Sequence, residues 1–172
     1  MDTLQALEIR KSVREYQAKA VEAEKLESIL KAANNAPKAG AFQVSVVLNP
    51  DLLKEINDKA LLCMKKSGNA FLMERAAQPG YEPMYGAPVL LVFSAPPENP
   101  YSLANVSNAA TSGIIAATAL GLGSCYIITP TLALNEEPAL CAKIGIPQGF
   151  RPMCCMLAGY AGGDKFASPK EV

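Results

Sequence analysis

Apolar residues recur along this chain with two periods, and the switches between them outline its elements. Leu4, Ala6 and Leu7 open a short helix that runs into Arg10-Lys11-Ser12. From Glu22 to Asn35, Leu26, Ile29, Leu30 and Ala33 fall at i, i+3, i+4 and i+7, while Glu24, Lys25, Glu27 and Lys31 take the outer face of the same helix. Asn34-Asn35-Ala36-Pro37 ends it, and Lys38-Ala39-Gly40-Ala41 reads as a loop. Phe42 to Leu48 is β-branched and apolar, a strand. Asn49-Pro50-Asp51 then starts a helix with Leu52, Leu53, Ile56, Ala60, Cys63 and Met64 on one side. A short helix around Ala70 to Ala77 precedes a Pro- and Gly-containing loop from Gln78 to Pro83.

The second half is more apolar. Pro88 to Phe93 predicts a fully buried strand, and Asn105 to Leu120 an Ala- and Gly-rich helix that is apolar on nearly all sides, hence central or at an interface. Gly123 to Thr129 and Met153 to Gly159 predict two further buried strands, with a helix from Asn135 to Ile144 between them. The order of strands and helices is irregular, and no G-x-G-x-x-G follows a strand. An α+β sandwich is therefore expected rather than a doubly wound nucleotide fold. At about 150 residues per domain, the 172 residues read as a single domain, 1–172, with a tail from Ala161 to Val172 that lacks a core pattern.

Composition narrows the chemistry. There is no His and no Trp, and 16 Lys+Arg balance 16 Asp+Glu. Zero net charge disfavours binding to nucleic acid or to an anionic membrane by bulk electrostatics. The lack of His removes imidazole bases, Ser-His-Asp and Cys-His arrangements and His-ligated zinc. A bound cofactor is then the natural carrier of any reaction. The five cysteines, Cys63, Cys125, Cys141, Cys154 and Cys155, show no C-x-x-C and no metal spacing. They read as reduced core thiols of a cytoplasmic protein, with neighbouring Cys154 and Cys155 on opposite faces of one strand. No signal peptide is evident, and the longest uncharged apolar run, Gly113 to Ile128, is shorter than the ~20 residues that a span requires. The charges are unevenly spread: no Lys or Arg lies between Ala76 and Ala142. That stretch reads as buried in a core or a subunit interface.

Four segments could carry a site. Arg10, Lys11, Ser12 and Arg14 put three cations and a hydroxyl into five residues, a grip suited to phosphate oxygens; a solvated charged turn has the same composition. The loop Pro37, Lys38, Ala39 leads to Gln43 at the mouth of a strand, where a side-chain amide could meet a heterocycle, although a plain helix-to-strand connection fits equally. Gly121 to Tyr126 places glycines between a buried helix and a buried strand. They could let the backbone approach a planar ligand, or simply form a turn with Gly as helix cap. Cys125 in that run reads as an inert core thiol rather than a nucleophile. Lys165 and Lys170 in the tail are further cations.

The order of these segments is more specific than any one of them. Ile9-Arg10-Lys11-Ser12-Val13-Arg14-Glu15-Tyr16 resembles the I-R-x-R-S-x-R-x-F/Y opening of the FMN-dependent nitroreductase family. Ala36-Pro37 through Gln43 is similar to its A-P-S-x-x-N-x-Q-P-W segment, Gly86-Ala87-Pro88-Val89 to its A-P strand, and Ala119 to Cys125 to its A-x-x-L-G-L-G-S-C block. Gly145-Ile146-Pro147 with Gly159-Tyr160 resembles its closing blocks. The resemblance runs from residue 2 to residue 170 and points to the short subgroup.

It implies a three-layer α-β-α sandwich with a mixed, mostly antiparallel central sheet, in a homodimer with two FMN sites at the subunit interface. Arg10, Ser12 and Arg14 would hold the FMN phosphate, with Lys11 contributing backbone. Pro37, Lys38, Ala39 and Gln43 would approach the flavin from the second subunit. Ser124, Cys125, Tyr126 and Ile127 would line the isoalloxazine, and Lys170 would stand near the phosphate. No side chain is then needed as a catalytic group. NAD(P)H would reduce the flavin and leave, and a nitroaromatic, quinone or similar small electrophile would take its place, a ping-pong cycle. A dimer that binds or scavenges flavin with little turnover is the alternative. Ala41 stands where the family usually has Asn, Val44-Ser45 replace Pro-Trp, and Lys38 replaces Ser. Weaker FMN retention on dialysis is expected from those losses.

Overall fold

A computed structural model of the chain describes residues 1–163. It contains α1 (Thr3–Ile9), α2 (Ala23–Asn34), β1 (Gln43–Val47), α3 (Pro50–Lys66), α4 (Ala70–Ala76), β2 (Val89–Ala95), α5 (Ser102–Ala119), β3 (Gly123–Ile127), α6 (Thr129–Glu136), α7 (Pro138–Lys143) and β4 (Arg151–Gly159). The strands form one sheet in the order β1-β2-β4-β3.

Side chains on a strand alternate between faces, and here both faces are apolar. Val89, Leu91 and Phe93 of β2, with Cys154, Met156 and Ala158 of β4, pack under α2 and α5. Leu90 and Val92 of β2, with Cys155 and Leu157 of β4, pack under Leu53 and Ile56 of α3, Leu134 of α6 and Leu140 of α7. This explains the uninterrupted apolar runs in the two central strands: both of their faces are covered, giving helix, sheet and helix in three layers. Cys154 and Cys155 fall on opposite faces, as the sequence indicates.

All three ladders are antiparallel, and a bulge shifts the β2–β4 register at Phe93/Ser94. The parallel component expected of a mixed sheet is confined, among the described residues, to an isolated bridge between Ser12 and Ser124. The helix expected over Asn135 to Ile144 is two helices. Glu137 adopts φ −125° and ψ 89° ahead of Pro138, which begins α7. A residue preceding proline is driven out of the α region by the pyrrolidine ring, so the helix breaks there. The turn before it had no apolar periodicity to announce it; Thr129-Pro130 starts α6 directly after β3.

Candidate functional site

The basic N-terminal segment does not lie free on the surface. The Val13 N–H donates to Ser124 O at 2.8 Å, which docks residues 12–13 along the outer edge of β3. Gly123 makes this approach possible. A Cβ there would lie 2.8 Å from Val13 Cγ2, closer than carbon atoms pack. The same holds at the other end of the segment, where a Cβ on Gly159 would meet Pro88 Cδ at 2.7 Å and Tyr16 Cδ1 at 2.9 Å. The first glycine of the run, Gly121, has φ +77° and turns the chain out of α5, with the Leu122 N–H donating to Ala117 O. Of the two readings of this glycine run, the turn accounts for Gly121, and Val13 fills the space over Gly123.

Docking brings Arg10, Ser12 and Arg14 together with Ser124 and Cys125. The Cys125 thiol is pushed up from its ordinary value by burial, against the opposing pull of Arg14, a hydrogen bond from Ser12, Arg10 and Arg75. It stays a protonated thiol, the inert form. Arg10 is half-buried and has no ion pair among the described residues. Among the described residues the Ser124 hydroxyl, which is buried, has no hydrogen-bond partner, and neither has that of Tyr16. The Tyr16 phenol is held far above its usual value by burial, then by Cys125 and Tyr85, with Arg14 opposing. Two guanidinium groups, a hydroxyl and an edge of backbone at one place form a donor set fitted to a phosphate.

Arg75 is a member of this neighbourhood that the sequence reading missed. Its Nε donates to Tyr81 Oη at 3.2 Å and its Nη2 to Tyr85 Oη at 3.3 Å, with its guanidinium 5.3 Å from the Tyr81 ring centre. Burial, followed by Tyr85, pushes the Tyr81 phenol up to about 12. The one available signal was position: Arg75 is the last cation before the long uncharged-by-base stretch.

The second predicted segment lies elsewhere in the chain. Gln43 begins β1, at the sheet edge opposite β3. Three strand spacings, about 14 Å, separate the two edges. Gln43 Nε2 donates to Gly145 O at 2.7 Å and reaches Ser45 Oγ at 3.4 Å. Lys38 folds back onto the end of α2, donating to Asn34 O at 3.1 Å and Asn34 Oδ1 at 3.0 Å. Pro37 and Ala39 are exposed beside α5. Within one chain, then, Pro37, Lys38, Ala39 and Gln43 are not gathered around Arg10, Ser12 and Arg14. Tyr126 is partly exposed on β3, its hydroxyl 3.3 Å from Ser107 Oγ of α5, and Ile127 is buried under α6 and α7. Lys165 and Lys170 lie outside the described residues. No helix among the described residues is long and apolar enough to cross a membrane.

Known proteins share this fold. A nitroreductase from Bacteroides fragilis with bound FMN is 28% identical and superposes with a TM-score of 0.87, covering 100% of this chain and 95% of that one. A nitroreductase from Desulfitobacterium hafniense with bound FMN is 25% identical, with a TM-score of 0.90 over 99% of this chain and 95% of that one. The fold is also that of an iodotyrosine deiodinase bound to FMN and 3-iodo-L-tyrosine, at 23% identity and a TM-score of 0.78, covering 99% of this chain and 96% of that one. Among curated protein sequences none matches. The sequence profile of the nitroreductase family matches residues 7–160, which takes in the docked basic segment, the Pro37 loop, the β3 run and the whole sheet. The chain belongs to the nitroreductase family.

Proposed function

We propose that this protein is an FMN-dependent oxidoreductase acting as a homodimer, in which NAD(P)H is the reductant and nitroaromatics, quinones or similar small electrophiles are the oxidants, taken in turn in one pocket. The observation that carries this reading is the docking of Arg10, Ser12 and Arg14 on β3. Charged donors that face no carboxylate among the described residues, as Arg10 does, suit an anion from outside the chain. Family membership and the FMN-bound structures most like this one make the phosphate of FMN the fitting anion. When bound, FMN supplies the hydride and electron chemistry.

The roles of the chain's own residues follow. Arg10, Ser12 and Arg14 hold the phosphate, with Lys11 backbone at its rim and Lys170 as a further cation. Ser124, Cys125, Tyr126 and Ile127 form the wall against which the ring system lies. Pro37, Lys38, Ala39 and Gln43 complete the pocket from a second copy of the chain, because the sheet puts them on the far edge. Exposed apolar side chains support a second copy: Leu4, Leu7 and Ile9 on α1, Tyr101 and Leu103 at the start of α5, and Tyr126 and Ile128 at β3. These border α5, against which α1 packs and whose Ser107 meets Tyr126.

An anaerobic titration tests the reading. The protein should bind FMN, the flavin absorbance should bleach with NAD(P)H, and it should return on adding a quinone or nitroaromatic. A protein that ignores FMN rejects the proposal. Bleaching that only oxygen reverses would replace it with a flavin-scavenging dimer.

A further inference from the structure

The loop that carries Pro37 and Ala39 is held from inside the chain by asparagines of the α5 region. Asn105, only 3% exposed, accepts from the Ala39 N–H through Oδ1 at 2.8 Å and donates to Ala39 O through Nδ2 at 2.9 Å. One carboxamide thus satisfies both backbone groups of a single residue, as a neighbouring strand would. Asn99 Nδ2 donates to the same Ala39 oxygen at 3.0 Å, and Asn108 Nδ2 reaches Pro37 O at 3.4 Å. Gly40 follows with φ +105°, a conformation that L side chains rarely adopt, and a Cβ there would lie 2.3 Å from Asn99 Nδ2.

Pro37 fixes one backbone angle and Lys38 ties back to Asn34, but neither reaches the backbone of Ala39. Ala39 and Gly40 are exposed and bury no apolar area, so without the asparagines this stretch would keep its conformational entropy until something ordered it. A buried carboxamide has the opposite bias, because any hydrogen bond it leaves unmade costs its desolvation. Two positions further along the same helix, Ser107 contacts the Tyr126 hydroxyl of β3. One helix therefore sets the loop at one sheet edge and the exposed tyrosine at the other.

We infer that Asn105, supported by Asn99, is a positioning residue for the cofactor site: it holds the Pro37–Ala39 loop in the conformation that meets FMN across the dimer. This rests on the proposed FMN function. Its energetic content is preorganisation, since a loop ordered in advance does not have to be ordered by the ligand.

Three variants test it: Asn105→Leu, nearly isosteric but without hydrogen bonds; Asn105→Asp, which keeps the acceptor and loses the donor; and Asn99→Ala, at a position outside the core. The readouts are hydrogen exchange of the Ala39 amide without FMN, FMN affinity, and the visible circular dichroism of bound flavin. Asn105→Leu should lose Ala39 protection, bind FMN about tenfold more weakly and alter the flavin dichroism, with Asn99→Ala changing each less. Should Asn105→Leu fail to fold, Asn99→Ala decides by the same three readouts. Unchanged Ala39 protection, or lost protection with unchanged affinity and dichroism, overturns the inference while leaving the FMN function standing. A wild-type chain that binds no FMN overturns both.

Discussion

The Cys125 thiol lies against the Ser12 hydroxyl and in the field of Arg14, Arg10 and Arg75, yet burial outweighs them and keeps it protonated. The motif draws attention to Cys125, and its surroundings keep it in the inert thiol form rather than as a nucleophile. Arg14 belongs to the same cluster, and its charge pulls on both Cys125 and Tyr16; the proposed function gives it the FMN phosphate. Arg14→Ala should weaken FMN binding by about 1.5–3 kcal/mol, the loss of a charge-assisted hydrogen bond, as measured by calorimetric titration. Unchanged affinity would remove Arg14 from the grip. Gly123 carries a separate prediction. Gly123→Ala forces a methyl into Val13, which is 7% exposed and cannot swing into solvent. It should cost about 1–3 kcal/mol of stability by overpacking, and unfolding should show it without FMN present. Arg10, Ser12 and Arg14 were legible from the sequence because they are neighbours in it. Arg75 was not, because its link to them exists only through the fold.

Element boundaries were readable where a local rule dictates them. Asn49 caps α3, its Oδ1 accepting from Asp51 N at 2.9 Å and Leu52 N at 3.1 Å, with Pro50 at the first helical position. Asn49→Ala should therefore destabilise the protein by about 1 kcal/mol, and a chemical-denaturation midpoint shifted at constant slope would register it. The break between α6 and α7 is equally local, at the residue before Pro138, although the expected helix ran across it. The Pro37 loop shows the limit of local reasoning. Its residues mark it as a loop, but its shape comes from Asn99 and Asn105, more than 55 positions away.

At the scale of the whole molecule, the sheet order places Gln43 and the segment docked on β3 at opposite edges, which is why the proposed function draws its pocket from two chains. Sedimentation equilibrium should give twice the 18.2 kDa chain mass, and Leu103→Glu, at a residue 60% exposed, should shift the protein toward monomer and weaken FMN binding with it. A second global property follows from the two thiols of β4. Burial pushes the Cys154 thiol from its ordinary value up to about 11, and Cys155 is raised in the same sense, first by burial and then by Cys154. Both ionise more readily unfolded than folded, so above pH 9 the unfolded chain binds fewer protons and stability falls with rising pH. The contribution is complete below pH 9 and is lost on the way to pH 11. Thermal unfolding scans across that range should show a falling midpoint in the wild type and a shallower fall in Cys154→Ala.

The four strands, the helices before β3, the absence of histidine and the order of the family motifs could be read from the sequence, because each depends on residues close together in it, whereas α6 and its break from α7 could not. The tertiary structure fixed where the motifs lie relative to one another. Gly123 and Gly159 make room for the N-terminal segment, Arg75 joins the Arg10–Arg14 neighbourhood, and the Pro37 loop leads into the strand at the opposite sheet edge. Those are statements about close approach between distant parts of the chain. Such approaches are set by how two apolar faces of one sheet are covered, and no local pattern encodes them.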